Sequence, residues 1–326
     1  MLQSLSSGLQ RYGGNLIYLS LLCAIFNDLR LELSHSGEEG YERSASSTLL
    51  LRLLSITHFL AFTSLYVQIE GLCGQQGLIP ITRSLGEIWR NINFAKLSFT
   101  DAGLFIRVLL LRITTLMLEQ SARSDESLRY FILSGCVVAA IGVFLPYSTV
   151  FLYLFLSYYS IKRVTHQFTD LQWDSLLLEA SVSAILLATA VSLEDSMLIC
   201  ICNWLFKILL FRLMFGSGYV KLMSGDISWG PSGGFTAMTY HFLTQPLPNG
   251  ISSTMHGLPR IILQILTFGT MLVELVVPQL SWVPNSFLQE FAAASFIFLM
   301  ASIAMSGNFG KYLKSRLFAT DFSGAI

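Results

Sequence analysis

Long apolar segments alternate with short polar stretches along almost the whole chain. A helix needs about 20 mostly apolar residues to cross the roughly 30 Å hydrocarbon core of a bilayer. Seven segments approach this length, at residues 49–67, 130–145, 147–161, 175–193, 196–215, 258–277 and 287–306. Two of them are short, and Pro146 between these two is either a turn or a kink in one longer element. The pattern predicts an all-α polytopic transmembrane helical bundle of about seven spans, within a range of about six to eight.

Two further apolar segments do not fit a simple span. Residues 16–26 are too short to cross a bilayer and are followed at once by polar residues, so they either lie in the membrane interface or complete a tilted span. Residues 104–118 carry Arg107 and Arg112 within an apolar stretch. We expect this second segment to be amphipathic and to lie on the membrane or against the bundle.

On this pattern the chain divides into three regions. Residues 1–48 form an N-terminal segment that is interfacial or partly spanning, residues 49–310 form the transmembrane domain, and residues 311–326 form a short basic tail. The largest connections between spans cover residues 70–129 and 216–257. A functional surface is therefore expected in these connections or inside the bundle.

Composition excludes a soluble enzyme and a nucleic-acid partner. Hydrophobic residues make up 53% of the 326 and charged residues only 12%, whereas a soluble domain carries about 25% charged residues. The mean hydropathy is +0.61. The 20 basic and 20 acidic residues cancel, so the chain lacks the basic stripe that nucleic-acid binding requires. Because so much of the chain is apolar, bound structural lipids are expected rather than nucleic acid.

Orientation follows from the charges that flank the spans. Basic residues at 162–163 and 311–316 fall on one face if there are seven spans, and the acidic pair at 194–195 falls on the other. The positive-inside rule then places the C-terminus on the cytoplasmic or matrix side. The first 27 residues contain no acid and weakly resemble a mitochondrial targeting segment. The mitochondrial inner membrane is therefore one candidate location.

Candidate chemistry in the second connection is sparse. Residues 230–234 match G-x-S-x-G, but a nucleophile elbow needs a strand before its serine, and the flanks of Ser232 show no strand pattern. A flexible turn is therefore favoured. His241 and His256, with Asp226 nearby, give too few ligands for a zinc site. No catalytic, cofactor-binding or metal-binding residue is predicted.

Polar groups inside the spans are more informative, because each is costly in lipid unless it is paired or turned inward. Five charged residues fall in or near the spans: Arg52, Glu179, Lys207, Arg212 and Glu274. Glu179 and Arg212 lie on consecutive spans, which makes an ion pair between them plausible. A pair that fixes helix register is favoured over a proton path, since no chain of carboxylates is present. His58 lies in mid-span and is expected to hydrogen-bond to a neighbouring helix.

Two short motifs have structural interpretations as well as partner-binding ones: Gln172-Trp173-Asp174 and Gln245-Pro246-Leu247-Pro248. Tryptophan prefers the membrane interface, and Asp174 can cap the following helix. The two prolines fix φ twice and remove two backbone donors. This second motif is expected to form a rigid loop that packs back between spans, since irregular backbone at membrane depth must be buried in protein.

In order and spacing, four segments resemble the membrane domain of the lipase maturation factor family, over about residues 50–315: residues 64–80, 168–180, 212–259 and 273–310. The third segment includes Lys221, Asp226, Trp229, Tyr240 and His241. The resemblance implies an endoplasmic-reticulum membrane protein that helps secreted dimeric lipases to reach their active fold. It implies a chaperone-like protein rather than an enzyme, so it carries over no catalytic residue.

The chain also departs from the family pattern. Leu243 stands where the family usually has Glu, Ile227 stands where it has Pro, and extra Gly and Ser occupy 230–234. The family's Glu-x-Gly-Phe-Leu-Ala is Glu-Ala-Ser-Val-Ser-Ala at 179–184. Family members continue with more spans and a soluble domain, whereas this sequence stops 16 residues after Gly310. The expectation is that the domain that engages the client is absent.

Three hypotheses of function follow. The first is a non-enzymatic accessory or scaffold subunit of a large membrane complex, for example a respiratory or ATP synthase complex. The alternative is an endoplasmic-reticulum assembly factor for lipases, and the third is an intramembrane enzyme or transporter for lipids or quinones. Expected partners are other membrane subunits and lipids, with a client lipase only under the alternative. The motif residues proposed for structure or partner binding are Gln172, Trp173, Asp174, Glu179, Arg212, Lys221, Asp226, Trp229, Tyr240, His241, Gln245, Pro246 and Pro248.

Overall fold

The computed structural model describes residues 39–91, 110, 113–114, 117–118, 122, 124–169, 172–244 and 249–308. All regular secondary structure in these ranges is helical. Several predictions lie outside the described residues. They are the segment 16–26, most of the segment 104–118, the basic residues of 311–316, and Gln245, Pro246 and Pro248.

Twelve α-helices are described, and we number them in chain order. They are α1 Glu39–Cys73, α2 Ile81–Asn91, α3 Asp125–Phe144, α4 Ser148–Val164, α5 His166–Thr169, α6 Gln172–Ser192, α7 Ser196–Met223, α8 Ala237–His241, α9 Gly250–His256, α10 Arg260–Leu275, α11 Val277–Leu280 and α12 Ser286–Ile303. A π-helical turn, Ala304–Asn308, follows α12. Helices up to Phe206 belong to one compact unit and those from Lys207 onward to another, so α7 contributes to both.

Six helical segments among the described residues are long and apolar enough to cross a bilayer: Ala45–Cys73, Asp125–Phe144, Gln172–Ser192, Ser196–Met223, Arg260–Leu280 and Ser286–Ser306. The prediction of an all-α polytopic bundle is confirmed. The α7 helix runs past the predicted end at Phe215 to Met223. Gly216 and Gly218 cost the helix only about 1 kcal/mol each, and apolar residues continue beyond them.

Pro146 is a turn rather than a kink, because α3 ends at Phe144 and α4 begins at Ser148. The start of α3 is fixed by Ser124, whose hydroxyl accepts a hydrogen bond from the Ser127 amide at 3.1 Å. The α4 helix has 17 residues, which corresponds to about 25 Å. It is therefore slightly shorter than the thickness of a typical hydrocarbon core.

In the first unit, α1 and α3 run antiparallel. Glu70, near the end of α1, lies 3.6 Å from Arg129 in the first turns of α3. The Thr63 hydroxyl, about two turns before Glu70 on α1, lies 3.8 Å from the Cys136 sulfur, about two turns after Arg129 on α3. These contacts fix the relative direction of the two helices.

The α4 helix crosses between α3 and α6. Ser134 on α3 hydrogen-bonds to Tyr153 on α4 at 2.6 Å, and Lys162 at the end of α4 donates to Ser175 at the start of α6 at 2.6 Å. The end of α4 therefore lies beside the start of α6. Since α4 follows α3 after a short turn, it runs antiparallel to α3 and brings the chain back to the end of this unit at which α3 begins. The described residues thus hold six candidate spans and the shorter α4, which fits the predicted range of about six to eight spans.

His58 bridges α1 and α6 in the core of this unit. Its Nδ1–H donates to the Leu54 carbonyl at 3.0 Å, so the Nε2 of the neutral ring accepts from the Ser181 hydroxyl at 2.9 Å. The same hydroxyl lies 2.6 Å from the Leu177 carbonyl, but it cannot donate to both acceptors at once. Both side chains are completely buried. The prediction that His58 bonds to a neighbouring helix is confirmed, and it pairs the two spans at one fixed register.

Replacing Ser181 tests the hydrogen bond between Ser181 and His58. Ser181→Ala leaves His58 Nε2 buried without a donor, and it is expected to lower the free energy of unfolding by about 1–3 kcal/mol. Ser183→Ala is the matched control, because Ser183 bonds only to the Glu179 carbonyl of its own helix. Thermal unfolding of the protein in detergent micelles measures both variants. Equal shifts would show that the bridge adds nothing.

Candidate functional site

A buried ion pair joins the end of α7 to the end of α10 in the second unit. Lys221 Nζ lies 2.5 Å from Glu274 Oε1, and the two side chains are 22% and 3% exposed. The Ser217 hydroxyl also donates to Glu274 Oε1, at 3.1 Å. Two donors therefore satisfy a carboxylate whose burial would otherwise be very costly.

The two helices approach so closely only because position 218 is glycine. A Cβ there would lie 2.9 Å from Glu274 Cβ and 2.8 Å from Leu275 Cγ. At Gly216, two residues earlier, a Cβ would meet nothing within 4 Å. Small residues at helix contacts allow such packing in membranes, and here the contact lies beside the ion pair.

Trp229 lies over the lysine of the pair. Lys221 Nζ is 5.1 Å from the centroid of the Trp229 ring, within the range of a cation–π interaction. Trp229 ends the 3₁₀ turn Ile227–Trp229, in which Asp226 Oδ1 accepts from the Ser228 amide at 2.9 Å. The hydrogen bonds from Ser228 hold the pKa of the exposed Asp226 carboxyl below its ordinary value.

The segment after α7, residues 227–241, packs along α10. Gln264 Nε2 donates to the Gly234 carbonyl at 2.8 Å, and the Met238 amide donates to the Thr267 hydroxyl at 3.1 Å. Both partners lie inside the candidate span Arg260–Leu280. Irregular backbone is tolerated beside a span only if its polar groups are satisfied by protein, and these two side chains of α10 do so. Such a segment was predicted for residues 245–248, which are not described.

Ser232 lies on the short 3₁₀ turn Pro231–Gly233 and is exposed. Gly234 follows with φ +67°, in the left-handed region that favours glycine. The segment before the turn is another 3₁₀ helix rather than a strand. The prediction of a turn at G-x-S-x-G is therefore confirmed, since a nucleophile elbow requires strand, turn and helix.

His241 ends α8 and is half-buried. Burial, and secondarily the positive charge of Lys221, lower the pKa of His241 below 6.5. Within the described ranges, no group of three or more His, Cys, Asp or Glu side chains is arranged to hold a metal ion.

The lowered pKa of His241 predicts a pH dependence of stability. The unfolded chain binds the proton more readily than the folded one, so stability is complete above the ordinary pKa of 6.5 and is lost as pH falls through the lowered folded value. We expect the thermal midpoint in detergent to fall between about pH 7 and pH 5, and to fall less in His241→Gln. An unchanged slope in the variant would contradict this assignment.

The motif Gln172-Trp173-Asp174 forms the first turn of α6. Asp174 was expected to cap this helix, and that prediction is wrong. The helix already begins at Gln172, and Asp174 Oδ1 instead accepts a hydrogen bond from the Tyr158 hydroxyl of α4. A phenol on the neighbouring helix thus engages this carboxylate. Trp173 is 41% exposed at the same end of the bundle.

The predicted pair of Glu179 and Arg212 joins residues that belong to the two different units, and it stays a prediction. The pair found is Lys221 with Glu274. Sequence reasoning missed it because it ended the α7 span at Phe215, which placed Lys221 in a connection. The available signal was the polar Ser217, four residues before Lys221 and thus on the same helical face.

A bundle of spanning helices with a buried ion pair and a segment packed along one span defines a polytopic integral membrane protein. The model of the lipase maturation factor transmembrane domain matches residues 45–315. The chain therefore belongs to the lipase maturation factor family, and the resemblance seen in the sequence is confirmed.

Similar proteins carry the same family name. Lipase maturation factor 2 of Xenopus tropicalis is 34% identical over 278 residues, which is 83% of this chain and 37% of that protein. Human lipase maturation factor 2 is 32% identical over 281 residues, 80% of this chain and 37% of that protein. Human lipase maturation factor 1 is 28% identical over 235 residues, 70% of this chain and 39% of that protein. The chain thus spans less than two fifths of these relatives. No solved structure matches it.

Proposed function

We propose that this protein acts in the endoplasmic-reticulum membrane as a maturation factor for secreted lipases. The observation that carries the proposal is the family match over residues 45–315, together with the names of the relatives. The first hypothesis from the sequence was an accessory subunit of a respiratory or ATP synthase complex. None of the three relatives is named for such a complex, so family membership favours the alternative hypothesis.

The geometry of the second unit suits a protein that binds a client. A chaperone-like factor must hold a defined surface while its client folds. The segment 227–241 is fixed at several points: Gln264 donates to the Gly234 carbonyl, the Met238 amide donates to the Thr267 hydroxyl, and Trp229 packs over Lys221. The third hypothesis, intramembrane catalysis at Ser232, gains no support from an exposed 3₁₀ turn.

Secreted lipase activity tests the proposal. In cells that lack the gene for this protein, we expect a secreted dimeric lipase to show less activity per mass of lipase, and the returned full chain to restore it. Ser232→Ala is the matched variant, and it should restore the specific activity of the lipase to the same level as the unaltered chain does. Loss of function in Ser232→Ala at unchanged protein level would favour catalysis instead.

Two controls distinguish the proposed function from the hypothesis of an accessory subunit. A secreted monomeric reporter should keep its specific activity in the deleted cells, because the effect concerns lipase folding rather than secretion. The tagged chain should fractionate with endoplasmic-reticulum markers. Fractionation with mitochondrial inner membrane, together with unchanged lipase activity, would overturn the proposal in favour of an accessory subunit.

A further inference from the structure

Two adjacent cations, Lys162 and Arg163, end helix α4. Lys162 Nζ donates to the Ser175 hydroxyl in the first turn of α6 at 2.6 Å. The Arg163 guanidinium donates to the Thr114 hydroxyl at 3.0 Å. Thr114 is completely buried and Arg163 is half-buried. This arginine therefore rests against the protein rather than extending into water.

Arg163 has no carboxylate partner among the residues that the structure describes, whereas Arg129 at the start of α3 pairs with Glu70. Asp174, at the start of the neighbouring α6, accepts a hydrogen bond from Tyr158 instead. A half-buried guanidinium loses hydration and gains little from a neutral hydroxyl. Its planar fork of donors matches a phosphate or carboxylate group, so an anion would offset that loss.

The position of the pair indicates which anion is available. Lys162 contacts Ser175, and the candidate span of α6 begins only three residues earlier, at Gln172. Trp173, on the first turn of that span, is 41% exposed. Tryptophan at the end of a span marks the headgroup level of the bilayer. The cations therefore lie at the depth where lipid phosphates are concentrated.

We propose that Arg163, assisted by Lys162, binds the phosphate of an anionic lipid headgroup at this end of the bundle. The fork of Arg163 contacts the phosphate oxygens, and Lys162 adds a second positive charge from the same turn. The acyl chains then lie along the apolar surfaces of α4 and α6. A lipid held there contacts both the end of α4 and the start of α6, two helices that run in opposite directions.

Native mass spectrometry of the purified, delipidated full chain in detergent tests this site. With dioleoylphosphatidylglycerol as the probe, we expect one retained lipid, and about tenfold weaker binding for Arg163→Gln, because a charge-assisted hydrogen bond is lost. Arg163→Lys keeps the charge but not the fork, and it should fall between the two. Arg129→Gln is the matched control, since that arginine already pairs with Glu70.

Further probes separate the possible sources of the anion. Dioleoylphosphatidylcholine, which carries no net charge, and dioleoylglycerol, which has no phosphate, should be retained much less. Equal loss of phosphatidylglycerol in Arg163→Gln and Arg129→Gln would overturn the proposal. Displacement of the lipid by inorganic phosphate at millimolar concentration would overturn it as well, because the site would then recognise a free ion rather than a lipid.

Discussion

Lys221→Met is expected to lower the free energy of unfolding by about 3–5 kcal/mol, a large fraction of the stability of a typical protein. The variant leaves the Glu274 carboxylate, which is only 3% exposed, without its cation. Ser217 alone cannot replace that charge, because its hydroxyl supplies one neutral donor. Denaturant unfolding in detergent micelles, followed by tryptophan fluorescence, measures the loss.

A second substitution shows whether the loss of stability comes from the unpaired Glu274 carboxylate or from the loss of the lysine side chain itself. Lys221→Met combined with Glu274→Gln removes both charges, so it should recover most of the stability. Glu290→Gln is the control for loss of a single charge, because Glu290 is exposed on α12, and it should shift stability by at most about 0.5 kcal/mol. A double variant no more stable than Lys221→Met would show that the ion pair is not the cause.

Gly135→Ala is expected to destabilise the protein by about 1–3 kcal/mol through overpacking. A Cβ at this position would lie 2.4 Å from Phe62 Cδ1, across the contact between α1 and α3. The Phe62 ring cannot easily move aside, because it is completely buried and packs edge-on against Tyr158 with their ring centroids 5.6 Å apart. The same unfolding measurement applies.

Gly269→Ala provides the matched control for this glycine. Gly269 lies within α10, and a Cβ there would meet nothing within 4 Å. Alanine favours a helix over glycine by up to about 1 kcal/mol, so this variant should be neutral or more stable. If both variants shifted stability in the same direction, the close contact at Phe62 could not explain the result.

The spans could be predicted from sequence because lipid requires long apolar helices whose backbone groups are satisfied internally. Such a requirement leaves a pattern in each segment separately. Pro146 left two possibilities open, since a proline alone does not distinguish a turn from a kink. The direction of α4 decides between them, and it depends on contacts such as Ser134 with Tyr153.

The polar contacts between helices could be predicted only in part. His58 needed a partner on another helix wherever it lay, so that prediction required no knowledge of packing. The choice of Lys221 for Glu274 depends instead on the close approach at Gly218. Asp174 was misjudged for the same reason, because its partner Tyr158 comes from a helix whose position the local sequence does not specify.

The order of the paired charges along the chain has a consequence during biosynthesis. Lys221 is made 53 residues before Glu274. At about 5–20 residues per second, translation leaves the lysine without its acid for roughly 3–11 s. The newly made α7 thus carries the unpaired ammonium of Lys221 near one end until α10 has been made. Until then the insertion machinery must keep that end of α7 near water or polar groups.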